Sequence, residues 1–478
     1  MQQPKNSIAG ALGWKLFERF GVQGVQFVLQ IILARILSPE HYGVLSLMVI
    51  FTTLANVFIQ NGFNTALIQN KDVTEEDYSS VFWVSLLIAS LIYGVIFFCA
   101  PLIGAFYQMP TLVMPLRVLA LVLFPGALNS VQLAKVSREM NFRKVFTSNI
   151  AGIVISGGVG IAMAYANYGL WSLVVQYLLN ILIACLVMRF TVKWKIRLIC
   201  NLHRVRVLFR FGWKLLVSSL IDTLYQDLRS IIIGKKYDSG TLGHYNRGKN
   251  FPQFIITAVN GTVQSVILPA MSAEQDDSKK LKTLTRSSIS ISGYILFPLM
   301  AGLAAVAAPM VDVLLTEKWL PCVPYLQIYC FTLAFTPVHM CNLQAINAMG
   351  RSDVFLKLEI LKKTIGITAL TIAVMCFDTP IAIAMTGVFT TLISCVINAA
   401  PNKKLIGYSY FEQMRDLIPS FAAAVVMLIA THSLVLLPFN SLLTLAIQIP
   451  TGIIVYLVLS ILFKLPAFKL LITMIRQR

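Results

Sequence analysis

The chain has 478 residues, of which 57% are hydrophobic and 12% charged, with a net charge of +19 and a mean hydropathy of +0.76. Soluble proteins carry about 25% charged residues, so the composition excludes a soluble domain, and the whole-length deficit excludes a soluble domain on a single anchor. The basic excess would suggest nucleic acid in a soluble chain. Here it falls in short loops between apolar stretches, so no nucleic-acid partner is expected.

Each span needs about 20 apolar residues. Taken in order, segments 12–37, 43–68, 81–106, 112–134, 146–166, 169–189, 212–234, 250–272, 287–315, 322–346, 355–377, 380–400, 418–437 and 442–463 qualify, which predicts an all-α polytopic protein of about 14 transmembrane helices. The start, Met1-Gln2-Gln3-Pro4-Lys5-Asn6, runs into the first helix with no short apolar core or cleavage site, so no cleavable signal is expected. The connecting loops stay under about 25 residues, leaving no room for a soluble catalytic domain.

Fourteen spans put both termini on one side. With the N-terminus in the cytoplasm, the inside loops hold Lys135, Arg138, Arg143, Lys144 and a run from Arg189 to Lys214, then Lys279, Lys280, Lys282, Arg286, Lys357, Lys362, Lys363, Lys403 and Lys404. Outside loops hold only Arg35, Lys235, Lys236, Arg247, Lys249 and Lys318. The asymmetry predicts a multi-pass membrane protein with cytoplasmic N- and C-termini. The 189–214 run reads as topogenic charge in contact with anionic membrane lipids.

The first span carries Lys15, Arg19, Gln23, Gln26 and Gln30, spaced 4, 4, 3 and 4. At about 100° per residue these fall within roughly 80° of arc, one polar stripe on an apolar rod. Leu12-Gly13-Trp14-Lys15-Leu16 recurs as Phe211-Gly212-Trp213-Lys214-Leu215, followed by Lys214, Ser218, Asp222, Tyr225 and Arg229 at the same spacings. His41-Tyr42 recurs as His244-Tyr245, Asn56 and Gln60 as Asn260 and Gln264, Ala100-Pro101 as Ala308-Pro309, and Pro125 with Asn129 as Pro337 with Asn342. Matches in this order predict two pseudo-symmetric six-helix bundles, parallel repeats about an axis along the membrane normal. The expected organisation is an N-terminal bundle over 1–195, a basic linker over 196–211, a second bundle over 212–404, and two additional helices with a basic tail over 405–478.

The expected site lies between the halves and is lined by both stripes. Ionisable residues inside spans are costly and are functional candidates by default. They are Lys15, Glu18, Arg19, Arg117, Asp222, Asp227 and Arg229, each with a structural alternative such as snorkelling or ion pairing. Arg19, Arg117, Arg229 and Lys249 would attract an anion, since arginine binds phosphate through paired hydrogen bonds. Gln23, Gln26, Gln30, Asn56, Gln60, Asp222, Tyr225, Asn260 and Gln264 add groups suited to sugar hydroxyls. The set predicts a diphosphate-linked oligosaccharide on a long lipid as substrate. Asp222 and Asp227 are the candidate residues for ion coupling.

Catalytic motifs are absent: there is no Walker A loop, no His-Glu-x-x-His and no Gly-x-Ser-x-Gly. The five histidines and eight cysteines show no ligand spacing, and Glu75-Glu76-Asp77 and Asp276-Asp277 read as solvated loop charges. No catalytic residue, metal or cofactor is expected. Without a nucleotide site, energy must come from an ion gradient, the membrane potential or consumption of product.

Leu33-Ala34-Arg35-Ile36-Leu37-Ser38-Pro39-Glu40-His41-Tyr42-Gly43 resembles the opening of bacterial polysaccharide-repeat (Wzx-type) flippases of the multidrug/oligosaccharidyl-lipid/polysaccharide (MOP) exporter superfamily. Gly243-His244-Tyr245-Asn246-Arg247-Gly248 resembles the second-half mark of its lipopolysaccharide and colanic-acid exporter branch. The resemblance implies two MATE-like bundles and two extra helices, alternating access, and a cationic cavity. It also implies that an undecaprenyl-diphosphate-linked oligosaccharide is moved from the inner to the outer leaflet for O-antigen, colanic acid or exopolysaccharide, with a polysaccharide polymerase and chain-length machinery as further partners. A cation-coupled multidrug exporter would favour an acidic cavity. An integral-membrane glycosyltransferase or polymerase would need a large outer loop, and a scaffold would not need a repeated polar stripe.

Overall fold

Helix follows helix along the chain, and no strand occurs among the described residues. The computed structural model describes residues 5–476 except 61–63, 65–66, 69–72, 193, 195, 200 and 276, with side chains from 21 onward except at 202, 208, 210, 211, 258–270 and 472–476. The helices are α1 (Lys5–Ile36), α2 (Pro39–Gln60), α3 (Glu75–Phe106), α4 (Val113–Leu119), α5 (Leu123–Arg138), α6 (Phe142–Tyr165), α7 (Leu170–Thr191), α8 (Leu202–Lys236) and α9 (Ser239–Ala273). They continue as α10 (Ser278–Ala305), α11 (Ala307–Leu315), α12 (Val323–Ala334), α13 (Thr336–Ala348), α14 (Ser352–Cys376), α15 (Pro380–Leu405), α16 (Tyr410–His432), α17 (Ser441–Leu462) and α18 (Pro466–Arg476).

Among the described residues, nine helices are long and apolar enough to cross a membrane. The candidates that fall outside this set include the polar ones. α8 carries Lys214, Asp222, Asp227 and Arg229 within one membrane thickness, and α14 carries Glu359, Lys362 and Lys363. The protein is therefore an all-helical, multi-pass membrane protein.

Local signals set the element boundaries. Thr74 and Asp77 form a reciprocal capping box at the start of α3, with the Asp77 N–H donating to Thr74 Oγ1 at 3.3 Å and the Thr74 N–H to Asp77 Oδ2 at 2.8 Å. Ser409 and Glu412 do the same for α16. Three expected spans are broken helices. Segment 287–315 divides at Val306, 322–346 divides at Phe335, and 112–134 follows a 3₁₀ turn at Pro110–Leu112 and is broken by a second at Ala120–Val122. Pro309, Pro337 and Pro125 each fall in the first turn after a break, where a missing N–H costs nothing.

The chain forms two compact units, Met1–Gly243 and His244–Arg478. In the first, α1 packs on α6, α6 on α7, and α8 on α2 and α3. Leu29, Leu33 and Leu37 of α1 form a buried cluster with Ile153 and Leu173. A second cluster gathers Tyr78, Val81, Phe82, Val131, Met188 and Trp194. Trp194 belongs to the stretch between α7 and α8, which is strapped to the start of α3. The Trp83 indole donates to the Arg197 carbonyl at 2.9 Å, and the Arg197 and Asn201 amides donate to Ser79 and Ser80 hydroxyls at 3.2 and 2.9 Å. Arg204 pairs with Asp77 at 3.4 Å. Of the basic segment expected as a linker, 202–211 is the first part of α8.

In the second unit, α10 packs on α16, α14 on α15, and α16 on α17. Arg286 of α10 pairs with Asp416 of α16 at 2.6 Å, and Lys282 with Glu412 at 3.0 Å. Inside α10, Pro298 deprives the Tyr294 carbonyl of its helical donor, and the Tyr456 hydroxyl of α17 donates to that carbonyl at 2.9 Å. The seven described cysteines are free and five are buried; Cys200 lies outside the described residues.

Candidate substrate path

The first unit contains most of the polar positions expected to line a path. On α1, Gln23 is half-buried and its Oε1 has no partner among the described residues; Gln26 is exposed and Gln30 half-buried. On α2, Asn56 and Gln60 are half-buried. Asn56 turns toward α5: a Cβ built on Gly126 would lie 2.9 Å from Asn56 Oδ1, which is itself without a partner among the described residues. On α8, Asp222, Tyr225, Asp227 and Arg229 are all half-buried. The side chains of Lys15, Glu18, Arg19, Asn260 and Gln264 lie outside the described residues. Lys249 is half-buried on α9, in the second unit.

Arg117 sits on α4, and its surroundings differ from an open cavity wall. Its Nε donates to the Phe97 carbonyl at 3.0 Å, and its guanidinium lies 4.2 Å from the centre of the Phe97 ring. Phe97 is four residues before Pro101, which cannot donate, so this carbonyl has lost its helical partner. Arginine fills the vacancy, leaving only its terminal nitrogens for another role. At the far end of α3, Lys235 of α8 donates to the Phe106 carbonyl and stacks over its ring at 4.3 Å.

The turn joining α1 to α2 meets the turn joining α8 to α9 within the first unit. A Cβ on Gly43 would strike the Ser239 carbonyl, and a Cβ on Gly243 would strike the Pro39 carbonyl. Each glycine stands four residues after the first residue of its own helix, so the contact is reciprocal and made of backbone. The two caps also correspond. Ser38 Oγ lies 3.2 Å from His41 Nδ1, while Asp238 accepts from the Thr241 amide and hydroxyl, both at 2.8 Å. Partial burial works against the charge on Asp238, but these hydrogen bonds hold its carboxyl below the ordinary value. In the sequence, the His-Tyr pairs suggested a different alignment of the two turns, at a longer link. The helix starts instead align Gly43 with Gly243.

Sequence reasoning also missed a polar network in the second unit. Asn342 of α13 donates to the Gln413 side chain of α16 at 2.8 Å and accepts from Gln413 at 3.0 Å and from Asn402 of α15 at 2.6 Å. All three are fully buried. Only Asn342 carried a sequence signal, through its place after Pro337. Asn402 and Gln413 fall in the charged stretch between the expected spans 380–400 and 418–437, beside Lys403, Lys404, Glu412 and Asp416, where an amide reads as a loop residue.

No cluster of three potential metal ligands occurs among the described residues. The candidate positions described on α1, α2 and α8 are amides, a tyrosine, acids and an arginine.

A family model described as "Polysaccharide biosynthesis protein" matches residues 32–324. The lipopolysaccharide biosynthesis protein WzxC of Escherichia coli K12 is 23% identical over 91% of this chain and 88% of its own length. The succinoglycan biosynthesis transport protein ExoT of Rhizobium meliloti 1021 is 24% identical over 98% of this chain and 95% of its own. A solved structure of the lipid II flippase MurJ, in an inward closed conformation, superposes with a TM-score of 0.72 at 16% identity, covering 94% of this chain and 98% of that one. The chain belongs to the polysaccharide biosynthesis protein family and carries the fold of the MOP-superfamily transporters.

Proposed function

We propose that this protein is a flippase that carries an undecaprenyl-diphosphate-linked oligosaccharide repeat unit from the inner to the outer leaflet of a bacterial cytoplasmic membrane by alternating access, for assembly of a surface polysaccharide. The observation that supports this most is the doubled polar stripe in a member of this family. Arg19, Gln23, Gln26 and Gln30 on α1 and Asp222, Tyr225 and Arg229 on α8 offer guanidinium to diphosphate and amides to sugar hydroxyls. Asn56, Gln60, Lys249, Asn260 and Gln264 extend the same chemistry, and Arg117 does so through its terminal nitrogens only. The termini are cytoplasmic on this reading, the repeat divides the chain into halves over 1–195 and 212–404, and a polymerase with chain-length machinery receives the product. Arginine outnumbers acid on the stripes, which disfavours a hydrophobic cation as cargo.

Deleting the gene and locating the lipid-linked repeat units tests the function. They accumulate in the inner leaflet if the reading holds. Normal surface polysaccharide combined with drug sensitivity would point to a multidrug exporter. For the site, Arg19→Ala with Arg229→Ala abolishes export while protein levels stay normal, and full export by that double variant would sink the assignment.

A further inference from the structure

The turn from α17 into α18 puts a lysine where glycine is the usual residue. α17 closes in a Schellman motif: the Lys464 amide donates to the Ile461 carbonyl at 3.2 Å, and the Leu465 amide to the Ser460 carbonyl at 3.1 Å. Lys464 stands at the left-handed position, with φ 49°. Glycine adopts that conformation without strain and lysine does not, so the turn alone does not account for the side chain. Leu465 is buried, Lys464 is exposed, and Pro466 starts α18.

α18 has eleven residues, Pro466–Arg476. At 1.5 Å per residue it is roughly 16 Å long, about half of what crosses a membrane. Lys469, Thr473 and Arg476 are spaced 4 and 3, which puts them within roughly 60° of arc. The other eight positions of the helix are apolar. α18 packs on α10, where Ala467 is buried and the Phe468 ring lies 6.1 Å from the Tyr294 ring. That contact covers only part of the apolar arc: Leu470 is exposed, as are Leu462 and Phe463 just before the turn. Between Asp416 and Arg478 the sequence holds no Asp or Glu, whereas 464–478 holds Lys464, Lys469, Arg476 and Arg478. An exposed apolar arc edged only by positive charge matches the boundary of an anionic leaflet. A second copy would bring the same basic stripe against itself.

We propose that α18 is an interfacial helix that seats its apolar arc in the lipid boundary and binds anionic phospholipid headgroups through Lys464, Lys469 and Arg476. The seat bears on the transporter through Phe468. Tyr294, its partner on α10, is held twice by α17: the Tyr456 hydroxyl donates to the Tyr294 carbonyl at 2.9 Å, and the Tyr294 hydroxyl donates to Ser460 at 3.0 Å. Headgroup binding therefore braces the α10–α17 junction from the membrane surface.

The test uses the full chain in nanodiscs of phosphatidylcholine, alone or with phosphatidylglycerol, and reads hydrogen–deuterium exchange of the 467–475 amides. The wild type should exchange about tenfold or more slowly with phosphatidylglycerol, since one basic residue near an anionic surface contributes about a fivefold factor. Lys464→Gly relaxes the turn yet removes a charge, so in phosphatidylglycerol it should speed exchange about fivefold. Lys469→Gln should do the same without touching the turn. In phosphatidylcholine neither variant should exchange faster than the wild type. Exchange that ignores lipid charge, or variants that speed it equally in both lipids, overturns the proposal. Leu470→benzoylphenylalanine, illuminated in whole cells, should crosslink to lipid; crosslinks to a second copy or to another protein overturn it. The proposal takes from the flippase reading only the cytoplasmic side of α18, and the nanodisc measurement needs no cargo. Lipid-insensitive exchange thus sinks this inference alone, and a deletion strain without accumulated lipid-linked repeat units sinks that reading alone.

Discussion

Replacing Arg117 by methionine asks whether this arginine serves the backbone or the substrate. The substitution keeps an unbranched stem as far as the Nε position and removes every donor. The Phe97 carbonyl, deprived of a helical partner by Pro101, then loses the Nε at 3.0 Å that replaced it. An unsatisfied, partly buried carbonyl costs about 1–3 kcal/mol, and the lost stacking of cation on ring about 0.5–1 kcal/mol. Arg117→Met should therefore destabilise the protein by about 2 kcal/mol or more. In a Pro101→Ala background the helix regains an N–H aimed at Phe97, so the carbonyl penalty disappears and about 0.5–1 kcal/mol remains. The difference, on the order of 1–2 kcal/mol, is the coupling between two residues 16 positions apart in the chain. Denaturant titration of the four proteins in detergent micelles measures it, with export scored in the same strains. Export that recovers with stability identifies a backbone role. Equal losses in both backgrounds would refute this reasoning, and export lost while stability returns would place Arg117 on the substrate.

Tyr456→Phe repeats this logic in the second unit: it should cost about 1–3 kcal/mol, and Pro298→Ala should erase most of the loss, as read by thermal melting. Gly43→Ala gains helix propensity but overpacks a backbone contact, so a net loss of about 1–3 kcal/mol and reduced export are expected; wild-type melting would refute the close approach. Because one separation of the helices relieves both glycines, Gly43→Ala with Gly243→Ala should cost little more than the worse single change. Asp238→Ala should cost about 1 kcal/mol at neutral pH through loss of the cap on α9. Its folded carboxyl lies below the ordinary value of about 3.9, so the contribution is present above that pH and is lost as pH falls through the lowered value. Melting curves of wild type and Asp238→Asn across this range check the sign, since asparagine caps without titrating.

The helical plan was legible because lipid leaves so few options: a run of apolar residues must satisfy its backbone internally, and capping boxes such as Thr74–Asp77 mark where it starts. The breaks were less legible. Proline marks a first turn and a mid-helix kink with the same letter, and only neighbours decide, as Arg117 does at Pro101 and Tyr456 at Pro298. α1 and α8 were readable as helices from their periodicity, and the duplicated stripes on them belong to the proposed path. What spacing could not reveal was where a side chain's atoms go. Asn56 turns toward Gly126, and His339 finds Asn398 across 59 positions of chain. The Gly43–Gly243 crossing was hidden for another reason: a contact between backbones leaves no side-chain pattern to read.

That crossing also divides the labour of the chain. Two carbonyls pressed against two glycines carry no information about a cargo, so the junction is indifferent to which sugar passes. On the proposed path, discrimination falls to the polar faces of α1, α2 and α8. The protein is in this sense modular. Exchanging those faces for a relative's, while keeping 38–43 and 238–243, is the natural way to re-address the transporter without rebuilding its joint.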